Sequence, residues 1–159
     1  MKVFFIGAGP GDPELITVKG QRIISACPVL LYAGSLVPTD IFAGRQGDAL
    51  RIVDTAFLDL DEIMAHISWA SEQGHDVARI HSGDPSVYGA IGEQIRRLQA
   101  LSIDYEIILG VSVTTASAAG AGTGLAPYES SHAVFPTRHA TQTPFHNPHH
   151  HSHFDGGPG

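Results

Sequence analysis

Apolar and polar positions along this chain switch repeatedly between two periods. Short, nearly continuous apolar runs read as buried strands: Lys2 to Ile6, Pro28 to Tyr32, Leu50 to Val53, Asp76 to His81 and Tyr105 to Leu109. Between them lie segments with apolar residues near helical spacing. Leu15, Ile16, Val18, Ile23 and Ile24 mark a helix from Pro13 to Ala26. Asp12 is placed to cap it, and Pro13 suits its first turn. Further helices are predicted over Pro38 to Ala43, Asp59 to Glu72 (closed by Gly74), Ser86 to Leu101 and Ser112 to Ala121. Strands alternating with helices imply an α/β fold with a mostly parallel, doubly wound sheet.

The pattern stops after about Thr137. The segment 139–159 holds six of the ten histidines and three prolines, and its only large apolar residues are Phe145 and Phe154. Such a stretch buries too little surface to offset its chain entropy, so a disordered His/Pro-rich tail is expected. We therefore divide the chain at residues 1–123, 124–138 and 139–159.

Composition narrows the function. A net charge of -7 gives no basic stripe for nucleic acid, and no apolar run approaches the length of a membrane span. Cys27 is the only cysteine, which excludes a disulfide framework and reads as a core thiol. Met1-Lys2 is followed by too short an apolar run for a secretory leader. A reducing, cytoplasmic setting is the expectation.

The chemistry concentrates at strand ends. Gly7-Ala8-Gly9-Pro10-Gly11-Asp12-Pro13 follows the first strand, Ser82-Gly83-Asp84-Pro85 the fourth, and Gly110-Val111-Ser112-Val113-Thr114-Thr115 the fifth. Open α/β sheets build ligand sites from such loops. The first is not a dinucleotide fingerprint: Asp12 stands where the third glycine belongs, and Pro10 removes an amide donor. So many glycines in so short a turn point to close approach of backbone to a ligand. Asp84 suits a ligand with hydroxyls and positive charge, and it is equally placed to cap a helix from Ser86. Ser112 alone would read as an N-cap. His66 and His75 read as structural or solvent-facing, whereas His81 ends a strand beside the second loop and is a candidate pocket residue. No metal-ligand spacing occurs before the tail, where His149-His150-His151 with His153 offers a loose nickel or zinc site.

Taken together, these loops resemble the tetrapyrrole (precorrin/uroporphyrinogen) methylase family. The stretch from Phe4 to Gly20 is similar to its first motif, and Arg79-Ile80-His81-Ser82-Gly83-Asp84-Pro85-Ser86-Val87-Tyr88-Gly89-Ala90 to its second. Leu109-Gly110-Val111-Ser112 is similar to its third loop, and Leu31-Tyr32-Ala33-Gly34-Ser35-Leu36-Val37-Pro38 resembles the version in precorrin-4 methyltransferases. The resemblance implies the N-terminal domain of the tetrapyrrole methylase fold. It also implies S-adenosyl-L-methionine as cofactor and methyl transfer to carbon 11 of precorrin-4 in cobalamin biosynthesis. Carried over residue by residue, Pro10, Ser82, Gly83, Asp84, Val87, Tyr88, Ser112 and Val113 border the cofactor, and Gly9, Gly11 and Asp12 the tetrapyrrole. The substrate is a polycarboxylate, and Arg79, Lys19, Arg45 and Arg51 are its candidate cations. No catalytic side chain is assigned, because a sulfonium methyl donor is already activated. Family members commonly dimerise, which leaves a homodimer open.

The chain departs from the family at Leu109, where proline is usual, over Gly124 to Pro136, and at the tail, where relatives continue into a second domain. A truncated or frame-shifted product with impaired activity is the expectation. Two other readings stand beside it. One is a different methylase of the superfamily, acting on another ring carbon, the diphthamide precursor or a ribosomal RNA ribose. The other is a non-catalytic remnant whose His tail binds metal.

Overall fold

The computed structural model describes residues 1–87 and 91–122. Tyr88 and the whole of segments 124–138 and 139–159, with the candidate histidine metal site, therefore lie outside the described residues.

Among the described residues, five strands and four α-helices follow in the order β1 (Lys2–Gly7), α1 (Val18–Ala26), β2 (Val29–Tyr32), β3 (Arg51–Asp54), α2 (Leu60–Glu72), β4 (Val77–His81), α3 (Ile91–Ala100), β5 (Asp104–Ile108) and α4 (Val113–Gly120). The strands form one parallel sheet in the order β3-β2-β4-β1-β5. All five strand C-termini therefore open on one rim. The chain leaves β1 toward β2 on one side and β4 toward β5 on the other. The crevice between β1 and β4 is thus the switch point where such sheets bind ligands.

Alternation along the strands builds two cores. Val3, Phe5, Leu31 and Val77 face α2 and α3, where Ile63, Met64, Ile67 and Leu98 meet them. Ile6, Leu30, Ala78, Ile80 and Ile108 face α1 and the segment after β2, through Ile24, Ile41 and Phe42. Side chains at successive strand positions point to opposite faces, so helices cover both.

Three sequence expectations change. The helix over Pro13 to Ala26 is broken: Pro13–Leu15 is one 3₁₀ turn capped by Asp12, and α1 begins afresh after Thr17. Ile16 and Thr17 are extended, and Thr17 Oγ1 accepts the Gly20 N–H at 3.0 Å, a local cap that outcompetes helix continuation. The short helix after Pro38 is a 3₁₀ segment, Thr39–Arg45. The helix expected from Ser86 begins by Ile91 among the described residues, because Asp84 Oδ1 accepts both the Ser86 N–H (3.0 Å) and hydroxyl (2.7 Å) and holds a turn there.

Candidate functional site

The glycine loops after β1, β4 and β5 meet at a single point. Gly9 N–H donates to the Gly83 carbonyl at 3.2 Å, and Gly83 N–H donates to the Gly9 carbonyl at 2.7 Å. This antiparallel bridge ties together loops that leave parallel strands. Both residues sit at positive φ, +79° and +63°, which L side chains resist. The third loop wedges in beside them. A Cβ on Gly110 would lie 2.3 Å from the Gly83 carbonyl oxygen and 2.7 Å from Gly7 Cα. No side chain fits there, so the glycines at 7 and 110 are needed for proximity of backbones. Ala8 N–H adds a 2.7 Å bond to the His81 carbonyl, extending the β1–β4 pairing into the loops.

Beside this contact opens a cleft of about 710 Å³, lined among the described residues by Ser82, Gly83, Asp84, Val113, Thr114, Ser117 and Ala118. That volume lies within the range of small-molecule sites. One wall is the β4 loop and the other is one face of α4. Ser112 caps α4, its hydroxyl accepting the Thr114 N–H at 3.2 Å. None of the residues of α4 is buried, so its inner face is free to serve as a wall. Asp84 is 9% exposed. Its Oδ1 is committed to Ser86, and its Oδ2 takes part in no hydrogen bond among the described residues. A carboxylate oxygen thus remains available beside hydroxyls of Ser82 and Thr114, a lining that suits sugar hydroxyls or a cationic ligand.

The sequence-derived residues distribute unevenly. Ser82, Gly83, Asp84 and Val113 line the cleft together. Pro10, Gly11 and Asp12 stand at the neighbouring rim, where Asp12 Oδ1 accepts the Glu14 N–H at 2.9 Å. Gly9 is spent on the bridge, Val87 is exposed, and Ser112 acts as a cap. Sequence reasoning had no role for Ser117 and Ala118. Their spacing from Val113 and Thr114, four residues on in a helix, was the signal that could have found them.

The four candidate cations are all engaged elsewhere. Arg79 is buried under α3, donating from Nε to Gln94 Oε1 and from Nη1 to the Leu31 carbonyl, both at 3.2 Å. Burial without an acidic partner pushes its guanidinium down to about 10. Lys19 pairs with Glu106 at 2.7 Å, and Arg45 with Asp48. Arg51, at the opposite end of the sheet, stacks 3.5 Å over the Trp69 ring. His81 is buried too, stacked on Phe5, and does not line the cleft. Burial, with Arg79 nearby, pushes its pKa down to about 3, so the imidazole is neutral. Cys27 is a buried core thiol pushed up to about 12 by burial and Asp76, against a smaller lowering by Arg45, and is inert as a nucleophile.

The family model for tetrapyrrole (corrin/porphyrin) methylases matches residues 2–151. The chain belongs to this family. Among tetrapyrrole methylases, a precorrin-4 C(11)-methyltransferase of Pseudomonas aeruginosa is 57% identical over 143 residues, covering 90% of this chain and 56% of the relative. A solved cobalt precorrin-4 methyltransferase, described as a cobalamin biosynthetic enzyme, superposes with a TM-score of 0.74 at 42% identity, covering 79% of this chain and 52% of that one. A uroporphyrin-III C-methyltransferase from Thermus thermophilus, solved with S-adenosyl homocysteine, does so with a TM-score of 0.63 at 32% identity, covering 74% and 51%. This chain spans about half the length of the curated relatives it matches. No helix among the described residues is long and apolar enough to cross a membrane.

Proposed function

We propose that this chain provides the first α/β domain, residues 1–123, of an S-adenosyl-L-methionine-dependent methyltransferase acting on carbon 11 of precorrin-4 in cobalamin biosynthesis. The observation that carries the reading is the meeting of three glycine-bearing strand ends beside a cleft whose wall presents Asp84. The activities for which the relatives are named and the adenosyl ligand of the Thermus protein agree with it. Their substrates are tetrapyrroles, and a small-molecule macrocycle is the substrate assigned here. A cytoplasmic setting accords with a single, buried cysteine.

The lining fits the cofactor. S-adenosyl-L-methionine supplies a methyl group activated on a sulfonium cation. Asp84 supplies the complementary charge or accepts from ribose hydroxyls. Ser82 and Thr114 add hydroxyls, and Val113 and Ala118 an apolar wall. Because Gly9 and Gly83 satisfy each other's amides, the side chains of the β4 loop and α4 carry the polar recognition. Their task is alignment and exclusion of water rather than nucleophilic attack. Pro10, Gly11 and Asp12 on the adjacent rim are assigned to the macrocycle side. Val87, Tyr88 and Ser112 complete the cofactor border.

Calorimetric titration with S-adenosyl homocysteine tests the cofactor half, and saturable binding of one equivalent is expected. Incubation with precorrin-4, cobalt-precorrin-4 or uroporphyrinogen III and labelled methyl donor tests the substrate. Label at carbon 11 of either precorrin-4 form is expected, at a rate well below that of a full-length relative, and label only on uroporphyrinogen would overturn that assignment.

A further inference from the structure

One buried group is used neither by the fold nor by the cleft as described. His81 is the last residue of β4, and its ring stacks on Phe5 with centroids 6.2 Å apart and planes at 29°. Its Nε2 is buried and has no hydrogen-bond partner among the described residues. The two residues following it, Ser82 and Gly83, line the cleft, and its own carbonyl holds Ala8 of the first loop. His81 pairs with Gly7 in the sheet register and points to the same face, toward which a Cβ on Gly7 would meet the Gly83 carbonyl oxygen at 2.6 Å. The imidazole therefore lies on the sheet face toward which the Gly7, Gly83 and Gly110 backbones crowd together.

An open ring nitrogen in that position is unfavourable. Leaving a buried polar atom unsatisfied destabilises a fold, whereas phenylalanine would stack on Phe5 without that penalty. Among the described residues, no neighbouring side chain bonds the nitrogen. Arg79, two residues earlier on the same face, is committed to Gln94 and Leu31, and no acidic side chain is bonded to the ring among the described residues. Unfavourable buried groups persist where function needs them.

We propose that His81 is a positioning residue for the ligand cleft, its Nε2 left open in the free chain and engaged by the Ser82–Asp84 loop when the cleft fills. The hydrogen bond gained on binding then couples occupancy of the cleft to the end of β4 and, through the Ala8 bond, to the first loop. This rests on the reading of the cleft as an S-adenosyl-L-methionine site.

Long-range proton–nitrogen spectra of the ¹⁵N-labelled chain test it directly. Adding S-adenosyl homocysteine is expected to move the His81 Nε2 resonance, while those of His66 and His75 stay in place. His81→Phe identifies the signal and supplies a second reading. Its melting temperature is expected to rise by about 4 °C, and its affinity for S-adenosyl homocysteine to fall about fivefold. An unmoved Nε2 resonance on saturation of the wild-type chain, or a His81→Phe chain that binds as tightly, would overturn the inference and leave the cofactor assignment intact. A wild-type chain that binds no S-adenosyl homocysteine removes both.

Discussion

Gly83 and Gly110 approach so closely that a Cβ on Gly110 would lie 2.3 Å from the Gly83 carbonyl oxygen. Real Cβ atoms do not come so near to backbone oxygen, so the new methyl would force the two loops apart. The Gly83 loop is bonded in both directions to Gly9, and the Gly110 backbone abuts Gly7. Gly110→Ala is therefore expected to destabilise the chain by about 3 kcal/mol and to abolish S-adenosyl homocysteine binding. Gly44→Ala, with no atom within 4 Å of the new methyl, is the control and should melt within a degree or two of wild type. Thermal unfolding of the two variants checks the claim, and equal melting temperatures would refute it.

Asp84 lines the cleft while its Oδ1 holds its own loop. Asp84→Asn keeps an oxygen for the Ser86 bonds and removes the charge. The expected result is a fold close to wild type and a loss of at least about tenfold in affinity for S-adenosyl homocysteine, the scale of one charge-assisted hydrogen bond. Ser86→Ala, which removes only the hydroxyl bond, should cost about 1 kcal/mol in stability and much less in affinity. Calorimetric titration of both variants separates loop geometry from charge.

His81 makes stability depend on pH in a definite direction. Its folded pKa is depressed to about 3 from 6.5, so between those values the unfolded chain binds a proton that the native chain does not. Stability contributed by the neutral form is full above about pH 6.5 and declines as pH falls toward 3. At pH 5 the loss from this group is about 2 kcal/mol. Urea denaturation at pH 7 and pH 5 should show a drop in wild type that is smaller by roughly this amount in His81→Phe. Parallel curves for the two chains would contradict the assignment.

Arg51 and Trp69 lie at the end of the sheet away from the cleft. Trp69 is the only tryptophan, and the Arg51 guanidinium covers its ring at 3.5 Å. Arg51→Ala should change the fluorescence emission of the chain and lower stability by about 1 kcal/mol. Affinity for S-adenosyl homocysteine should be unchanged. A weakened affinity would mean that the two ends of the sheet are coupled.

Cys27 offers a check on packing. Buried and pushed up to about 12, its thiol should resist a disulfide reagent at pH 8 in the native chain and react fully in urea. Rapid native labelling would show that the core around Ile24 and Phe42 opens readily.

Hydrophobic periodicity and turn chemistry, which act over a few residues, were enough to specify the five strands, the helix Leu60–Glu72 and the three loops. The Gly/Pro/Asp loops also carried the family resemblance, because backbone proximity leaves a residue-type record. Helix continuity from Pro13 to Ala26 was not legible, since the Thr17 cap competes with an apolar spacing that looks helical throughout. Nor was the fate of the cations. Arg79 reads as a pocket charge along the linear chain, yet the pleat turns it under α3 toward Gln94. The sheet order that puts β1 between β4 and β5, and so joins Gly7, Gly83 and Gly110, came only from the tertiary structure. Which strands become neighbours is decided by burial summed over both faces of the sheet, a long-range balance that no local stretch of sequence encodes.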